Sequence, residues 1–170
     1  MKWVLIVVGA LVAVALILFV VGSTRPKDHV ASIRVRITAP DSAVWAAVTA
    51  FERMPDWFSE VKSVERIADI DGKPAYHERY GGGWVMTTVI REKAEGVRLV
   101  REILPSGAFS GSWTFELASD GAGTSLTLTE RGRVENPLFR AMMMFGDNRK
   151  TMRQYVAALG RHLGAAVAEK

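Results

Sequence analysis

From Trp3 to Val21 no position carries a charged or strongly polar side chain, and no other stretch of the chain is so uniformly apolar. At about 1.5 Å per helical residue, a run of that length comes close to the ~30 Å hydrocarbon core of a bilayer. The pattern then changes period. Ile33, Val35 and Ile37 alternate with Arg34, Arg36 and Thr38, as in a strand with one buried face. Pro40 suits the start of a helix, where its missing N–H would go unpaired anyway. Asp41 faces the positive end of that helix's dipole. Val44, Val48 and Phe51 recur at helical spacing with Trp45 beside them, so one side of this helix packs on something. Met54-Pro55-Asp56-Trp57-Phe58 ends it, because the residue before a proline avoids the helical region.

Six strand candidates follow. They are Val61–Ile70, Ala75–Tyr80, Trp84–Glu92, Val97–Leu104, Phe109–Ala118 and Thr124–Val134, with Asp71-Gly72, Gly81-Gly82-Gly83, Pro105-Ser106-Gly107 and Asp120-Gly121 as turns. Turns this short join antiparallel hairpins rather than crossovers. Asn136-Pro137 then opens a helical region that runs to the end, divided at Gly146-Asp147. Met152, Tyr155, Val156, Leu159 and Leu163 form one apolar stripe on the longer helix.

Ile37, Ala39, Pro40, Val44, Trp45, Phe51, Pro55 and Trp57 together give a pattern that resembles the START-like, or SRPBCC, superfamily, in particular its polyketide cyclase/dehydrase-like branch. The resemblance covers roughly residues 30–165. It implies an α+β helix-grip fold: a curved antiparallel sheet of about seven strands around a long C-terminal helix, with space between them for an apolar ligand. The quoted positions are packing residues, so they speak for the fold and carry no catalytic group. The expected organisation is a transmembrane anchor over residues 1–22, a linker over 23–29 and a START-like domain over 30–170.

The flanks of the apolar run refine that expectation. Lys2 stands on one side and Arg25 and Lys27 on the other, with Trp3 at the level favoured by aromatic belts. A cleaved signal peptide would carry a shorter apolar core of about 7–15 residues, although Val21-Gly22-Ser23 could pass for a cleavage site. An uncleaved single-pass anchor, in a bacterial inner membrane, is the reading adopted. The basic residues after the run lean the domain towards the cytoplasmic side. Formal charge is only +4, from 22 basic and 18 acidic residues, too little and too dispersed for a nucleic-acid footprint. Without cysteine there are no disulfides and no thiolate chemistry.

The candidate chemistry is sparse. Phe109, Gly111, Trp113, Phe115 and Leu117 share one strand face, and Trp84, Met86, Thr88 and Ile90 share another. Such faces fill a core or line a cavity; the resemblance favours the cavity, and Gly111, which fills no space, agrees. Glu130 sits on an otherwise apolar face with Leu126 and Leu128, where a carboxylate could act as acid or base, or could lie near solvent paired with an arginine. Tyr76 and Glu78 share a face of their strand. Met142, Met143, Met144 and Phe145 offer deformable apolar surface, for a pocket lid, for contact with lipid, or for ordinary helix packing. The three histidines have no helical ligand spacing, no G-x-S-x-G motif occurs, and the Gly81–Gly83 run lacks the following lysine of a P-loop. Neither a metal nor a cofactor is expected, and no catalytic constellation is recognisable.

The expected ligand-binding set is therefore Trp57, Tyr76, Glu78, Met86, Trp113, Glu130, Met142, Met143 and Phe145. The expected function is membrane-anchored binding or transport of a hydrophobic small molecule or lipid. The alternatives are a polyketide cyclase/dehydratase-type enzyme, with Glu130, Glu78 and Tyr76 as proton-transfer groups, and a non-catalytic interaction or stress-response domain with a filled core.

Overall fold

A computed structural model describes residues 2–106, 109–144, 146–147 and 149–170. Helix α1 (Lys2–Ser23) precedes β1 (Asp28–Ile37), α2 (Asp41–Thr49) and a 3-10 turn at Phe51–Asp56. Then come β2 (Val61–Ile70), β3 (Lys73–Tyr80), β4 (Val85–Ala94), β5 (Arg98–Ser106), β6 (Phe109–Asp120) and β7 (Gly123–Val134). Helices α3 (Pro137–Met143) and α4 (Lys150–Leu163) and a short β8 (Val167–Glu169) complete the chain. The strands form one antiparallel sheet in the order β2-β3-β4-β5-β6-β7-β1-β8. This is the helix-grip fold.

The sheet has eight strands rather than about seven, because the chain does not end in a helix. Gly164 closes α4 in the left-handed conformation, φ 60°, which glycine adopts without strain. The chain then turns back, and Val167 pairs with Ile37 at the sheet edge. Gly160 makes room for that return: a Cβ there would lie 2.3 Å from Val167 Cγ2. The Asp71-Gly72 turn is also glycine-dependent, with φ 52° and 68° at its two positions, the geometry of a tight two-residue hairpin loop.

Alternation decides which face of the sheet is buried. Ile33, Val35 and Ile37 of β1, Leu126 and Leu128 of β7, Phe115 of β6 and Leu99 of β5 point towards α4. The stripe read from the sequence meets them: Met152, Tyr155, Val156 and Leu159 are all buried, and Leu163 packs at the margin. Val44, Trp45 and Val48 bury the inner side of α2 against the same core. Asp41 ties the start of α2 to the β6–β7 hairpin by accepting hydrogen bonds from Thr124 Oγ1 at 2.7 Å and from Ser119. Those two bonds hold its carboxyl below the usual carboxylate range.

Helix α1 is long and apolar enough to cross a membrane, with a mean hydropathy of 3.4 in its most apolar window. It meets the rest of the chain at its last turn. Gly22 is buried against Pro137, whose carbonyl oxygen would lie 1.8 Å from a Cβ at Gly22. The Arg140 guanidinium, itself buried, donates to the carbonyls of Gly22, Val134 and Glu135, each at 2.8 Å. One side chain thereby ties the last turn of α1 to the end of β7 and the residue that follows it.

Candidate functional site

Between the concave face of the sheet and α4 lies a cavity of about 540 Å³, well within the size range of small-molecule sites. Met54, Phe58, Met86, Ile103, Phe109, Trp113 and the ring of Tyr155 supply most of its wall. Tyr155 is the hub, with Trp113, Phe115, Phe58 and Trp57 at centroid distances of 5.6, 5.6, 5.4 and 5.1 Å. The lining residues that remain exposed are Glu60, Gly81, Trp84, Thr151 and Gln154, so the cavity opens on their side.

Two polar groups interrupt the apolar wall. The first centres on Glu78 of β3, 1 % exposed. It accepts hydrogen bonds from Thr88 Oγ1 at 2.7 Å, from Tyr80 Oη at 2.9 Å and from the Arg101 guanidinium. Arg101 is equally secluded and lies over the Phe51 ring, 5.0 Å from its centroid. Its Nε has no hydrogen-bond partner among the described residues. Burial, the largest single influence, favours losing its proton, but the Glu78 carboxylate together with Tyr155 and Tyr80 favours keeping it, and the pKa is raised. Burial, reinforced by the Glu78 charge, also pushes Tyr80 upwards. Tyr155 is raised by burial, with Arg101 opposing. Both phenols therefore present O–H donors at neutral pH.

The second group centres on Glu130 of β7. Its carboxylate accepts from Trp113 Nε1 at 2.6 Å and meets His29 Nε2 at 3.0 Å. Among the described residues it pairs with no arginine. The His29 ring can lie there because Gly132, opposite it in the β1–β7 register, has no side chain; a Cβ would come within 2.2 Å of the ring. Gly111 proves to be a backbone requirement too: its Cβ would lie 2.3 Å from the Arg131 carbonyl oxygen, so the residue permits close approach of β6 and β7. Arg101, Trp113 and Glu130 are successive register partners on β5, β6 and β7. Cation, indole and anion thus form one row across the sheet.

Of the residues expected from the sequence, Glu78, Met86, Trp113 and Glu130 come together on the cavity wall. Four others lie elsewhere. Trp57 sits behind the wall, stacked on His162 at 5.7 Å. Tyr76 packs on Phe51 at 5.1 Å and under the Arg66 guanidinium at 5.4 Å. Met142 is exposed and Met143 half-buried on α3, away from the wall. Phe145 falls outside the described residues. Arg101, Tyr80, Thr88, Tyr155 and His29 were not anticipated as site residues. For Arg101 a signal existed: it falls in period-two register between Leu99 and Ile103, so an apolar face had to absorb a cation. His29 gave none, because β1 begins at Asp28, inside the stretch read as linker. No group of three potential metal-binding His, Asp or Glu side chains occurs among the described residues.

Residues 28–164 match the protein family described as polyketide cyclase / dehydrase and lipid transport. The chain belongs to this family. Solved structures with the same fold include a START superfamily protein from Mycobacterium smegmatis, 20% identical, covering 80% of this chain and 97% of that one, TM-score 0.66. Another is the Zhui aromatase/cyclase from Streptomyces sp. R1128, 15% identical, covering 81% and 94%, TM-score 0.67. A third is norcoclaurine synthase from Thalictrum flavum, 11% identical, covering 79% and 92%, TM-score 0.63. No curated protein matches the sequence. In this member of the polyketide cyclase/dehydrase and lipid transport family, the cavity wall carries the two polar groups just described.

Proposed function

We propose that this protein binds a hydrophobic small molecule or lipid with a polar end, in a cavity held beside a membrane by α1. The observation that supports this most directly is the cavity itself: open on one side, walled by aromatic and aliphatic side chains, with few polar groups, the composition of a hydrophobic-ligand site. The third alternative, a domain with a filled core, has no support from a space of about 540 Å³. Arg101 Nε and the Tyr155 hydroxyl are donors suited to a carbonyl or carboxylate on the ligand. Anchoring serves such a ligand, which partitions into the bilayer and would otherwise have to cross water.

The test is extraction of the full-length protein, purified in mild detergent, followed by mass spectrometry of copurifying lipids and titration with a fluorescent fatty acid. A stoichiometric bound species is expected, lost when Met86→Trp fills the wall. Retention of the same species by the filled variant would show that it sits elsewhere.

One observation favours a second reading, a cyclase/dehydratase-type enzyme. Glu130 faces the cavity with His29 behind it, an arrangement suited to moving a proton at a bound chain. In that case Glu130→Gln abolishes turnover of a polyketide-like substrate while ligand binding survives.

A further inference from the structure

Outside α1, the exposed large apolar side chains among the described residues are Val30, Trp84, Val97, Leu138, Phe139, Met142 and Met144. All but Val97 gather at one end of the sheet. Pairing traces that end from strand to strand: the Val85 carbonyl accepts from Ser106 Oγ, Ser106 pairs with Phe109, Phe109 with Val134, and Val134 N–H donates to the Lys27 carbonyl. Trp84 precedes Val85, and Lys27 lies four residues after α1. The last turn of α1 and the mouth of the cavity are therefore on the same side of the molecule.

Helix α3 is fixed to that end. Arg140 and Ala141 point inwards, while Leu138, Phe139 and Met142 share the outer face at i, i+1 and i+4. The Arg140 bond to Gly22 and the Gly22–Pro137 backbone contact hold this face alongside the last turn of α1. The linker Thr24–Lys27 can span at most about 14 Å, and its end is pinned to Val134. If α1 spans a bilayer, α3 therefore has to lie at the boundary where α1 leaves it. Arg25, Arg149 and Lys150 are exposed at the same end, and none pairs with a carboxylate among the described residues. Such cations complement anionic headgroups.

We propose that Leu138, Phe139, Met142, Met144 and Trp84 form a lipid-docking surface that sinks into the leaflet α1 exits, so that the cavity opens onto the bilayer rather than onto water. Its partner is the lipid surface itself. The proposal rests on the reading of α1 as a membrane span and adds the orientation of the site. Arg140 is a positioning residue in it, and the ligand reaches the mouth between Trp84 and the start of α4 without leaving the apolar phase.

The native chain has no cysteine, so single-cysteine variants can be spin-labelled cleanly. The full chain, in vesicles of phosphatidylcholine with phosphatidylglycerol, would be labelled in turn at V12C, W84C, F139C, M142C and V97C. Collision rates with oxygen and with a water-soluble nickel chelate would then be compared. Labels at 84, 139 and 142 are expected to favour oxygen several-fold over the label at 97, as the label at 12 does. A lipid-exposed label at 12 with labels at 139 and 142 as wet as that at 97 overturns the docking surface and leaves the span standing. A wet label at 84 beside lipid-exposed labels at 139 and 142 overturns the opening of the cavity onto lipid. A wet label at 12 overturns the span, and the proposal with it.

Discussion

Replacing Arg101 with methionine would leave the Glu78 carboxylate buried with only the Thr88 and Tyr80 hydroxyls for company. Both members of the wild-type pair are almost fully removed from solvent, at 7 % and 1 % side-chain exposure, so surface screening does not soften the loss. Removing one partner of a buried pair costs about 3–5 kcal/mol, because the remaining charge is stranded. Glu78→Leu should cost at least as much, since the stranded guanidinium cannot shed its charge. For a domain near 150 residues, about 2–4 °C per kcal/mol applies, so each single variant should melt roughly 6–20 °C below wild type. The double variant Glu78→Leu with Arg101→Met removes both charges and fills similar volume. It should return to within about 1–2 kcal/mol of wild type, as apolar replacements of buried pairs do. Thermal unfolding of the full-length protein in detergent, with near-UV dichroism of the cavity tryptophans as the signal, gives all four values. If each single variant lost less than about 1 kcal/mol and the double variant lost their sum, the pair would be solvated and uncoupled, and the reasoning would be wrong. Ligand titration of the double variant adds a separate result: a stable fold that no longer binds would assign the pair to recognition.

The remaining expectations concern glycine positions and one surface carboxylate. Gly132→Val drives a side chain into the His29 ring and should cost about 1–3 kcal/mol, as overpacking does; the His29 ring resonances should lose their coupling to Glu130 by NMR. Gly160→Val collides with Val167 and should free β8, read as loss of amide-exchange protection at Val167–Glu169 while β6 and β7 keep theirs. Hydrogen bonds from Lys27 and then Arg133 hold Glu135 down at about 2. A depressed folded pKa stabilises above the unfolded value and is lost as pH falls through the folded one, so this triad should loosen only between about pH 4.5 and pH 2. An NMR titration placing the Glu135 carboxyl near 4.5 would contradict the bridge.

Sheet, helices and core could be read from the chain because their signals are periodic. Alternation at Ile33–Ile37 and the stripe from Met152 to Leu159 each repeat a local rule several times, and each repeat constrains the next. The cavity wall was read only in part, for a physical reason. Trp113 and Met86 lie in runs whose inward face is set by their neighbours, and Glu78 and Glu130 are anomalies within such runs. Trp57 and Tyr76 are equally aromatic and equally close in sequence to the wall, but whether a ring lines a space or backs it depends on how α4 seats against the sheet. His29 was hidden in another way: its role comes from Gly132, more than a hundred residues later, which no local pattern connects to it. Arg101 was available as a cation in an apolar register, and only its partner on β3 was missing.

The row Arg101–Trp113–Glu130 bears on which kind of ligand the cavity suits. Two strand spacings of about 4.8 Å separate its ends, so a cationic and an anionic group stand roughly 10 Å apart on one wall with an indole between them. A lipid with a single polar head can satisfy one end and must lay its chain along the ring, leaving the other end to its own protein partner. Both ends already have such partners, Glu78 for Arg101 and His29 for Glu130, so leaving one unused has no desolvation cost beyond what folding has met. A chain oxygenated along its length would instead meet both ends and compete with those partners. The pre-paired charges therefore favour a ligand with one polar end. An active site, in contrast, would gain from a carboxylate less fully occupied by Trp113 and His29. That balance supports the proposed binding reading over the enzymatic one, and an opening onto the bilayer would serve it.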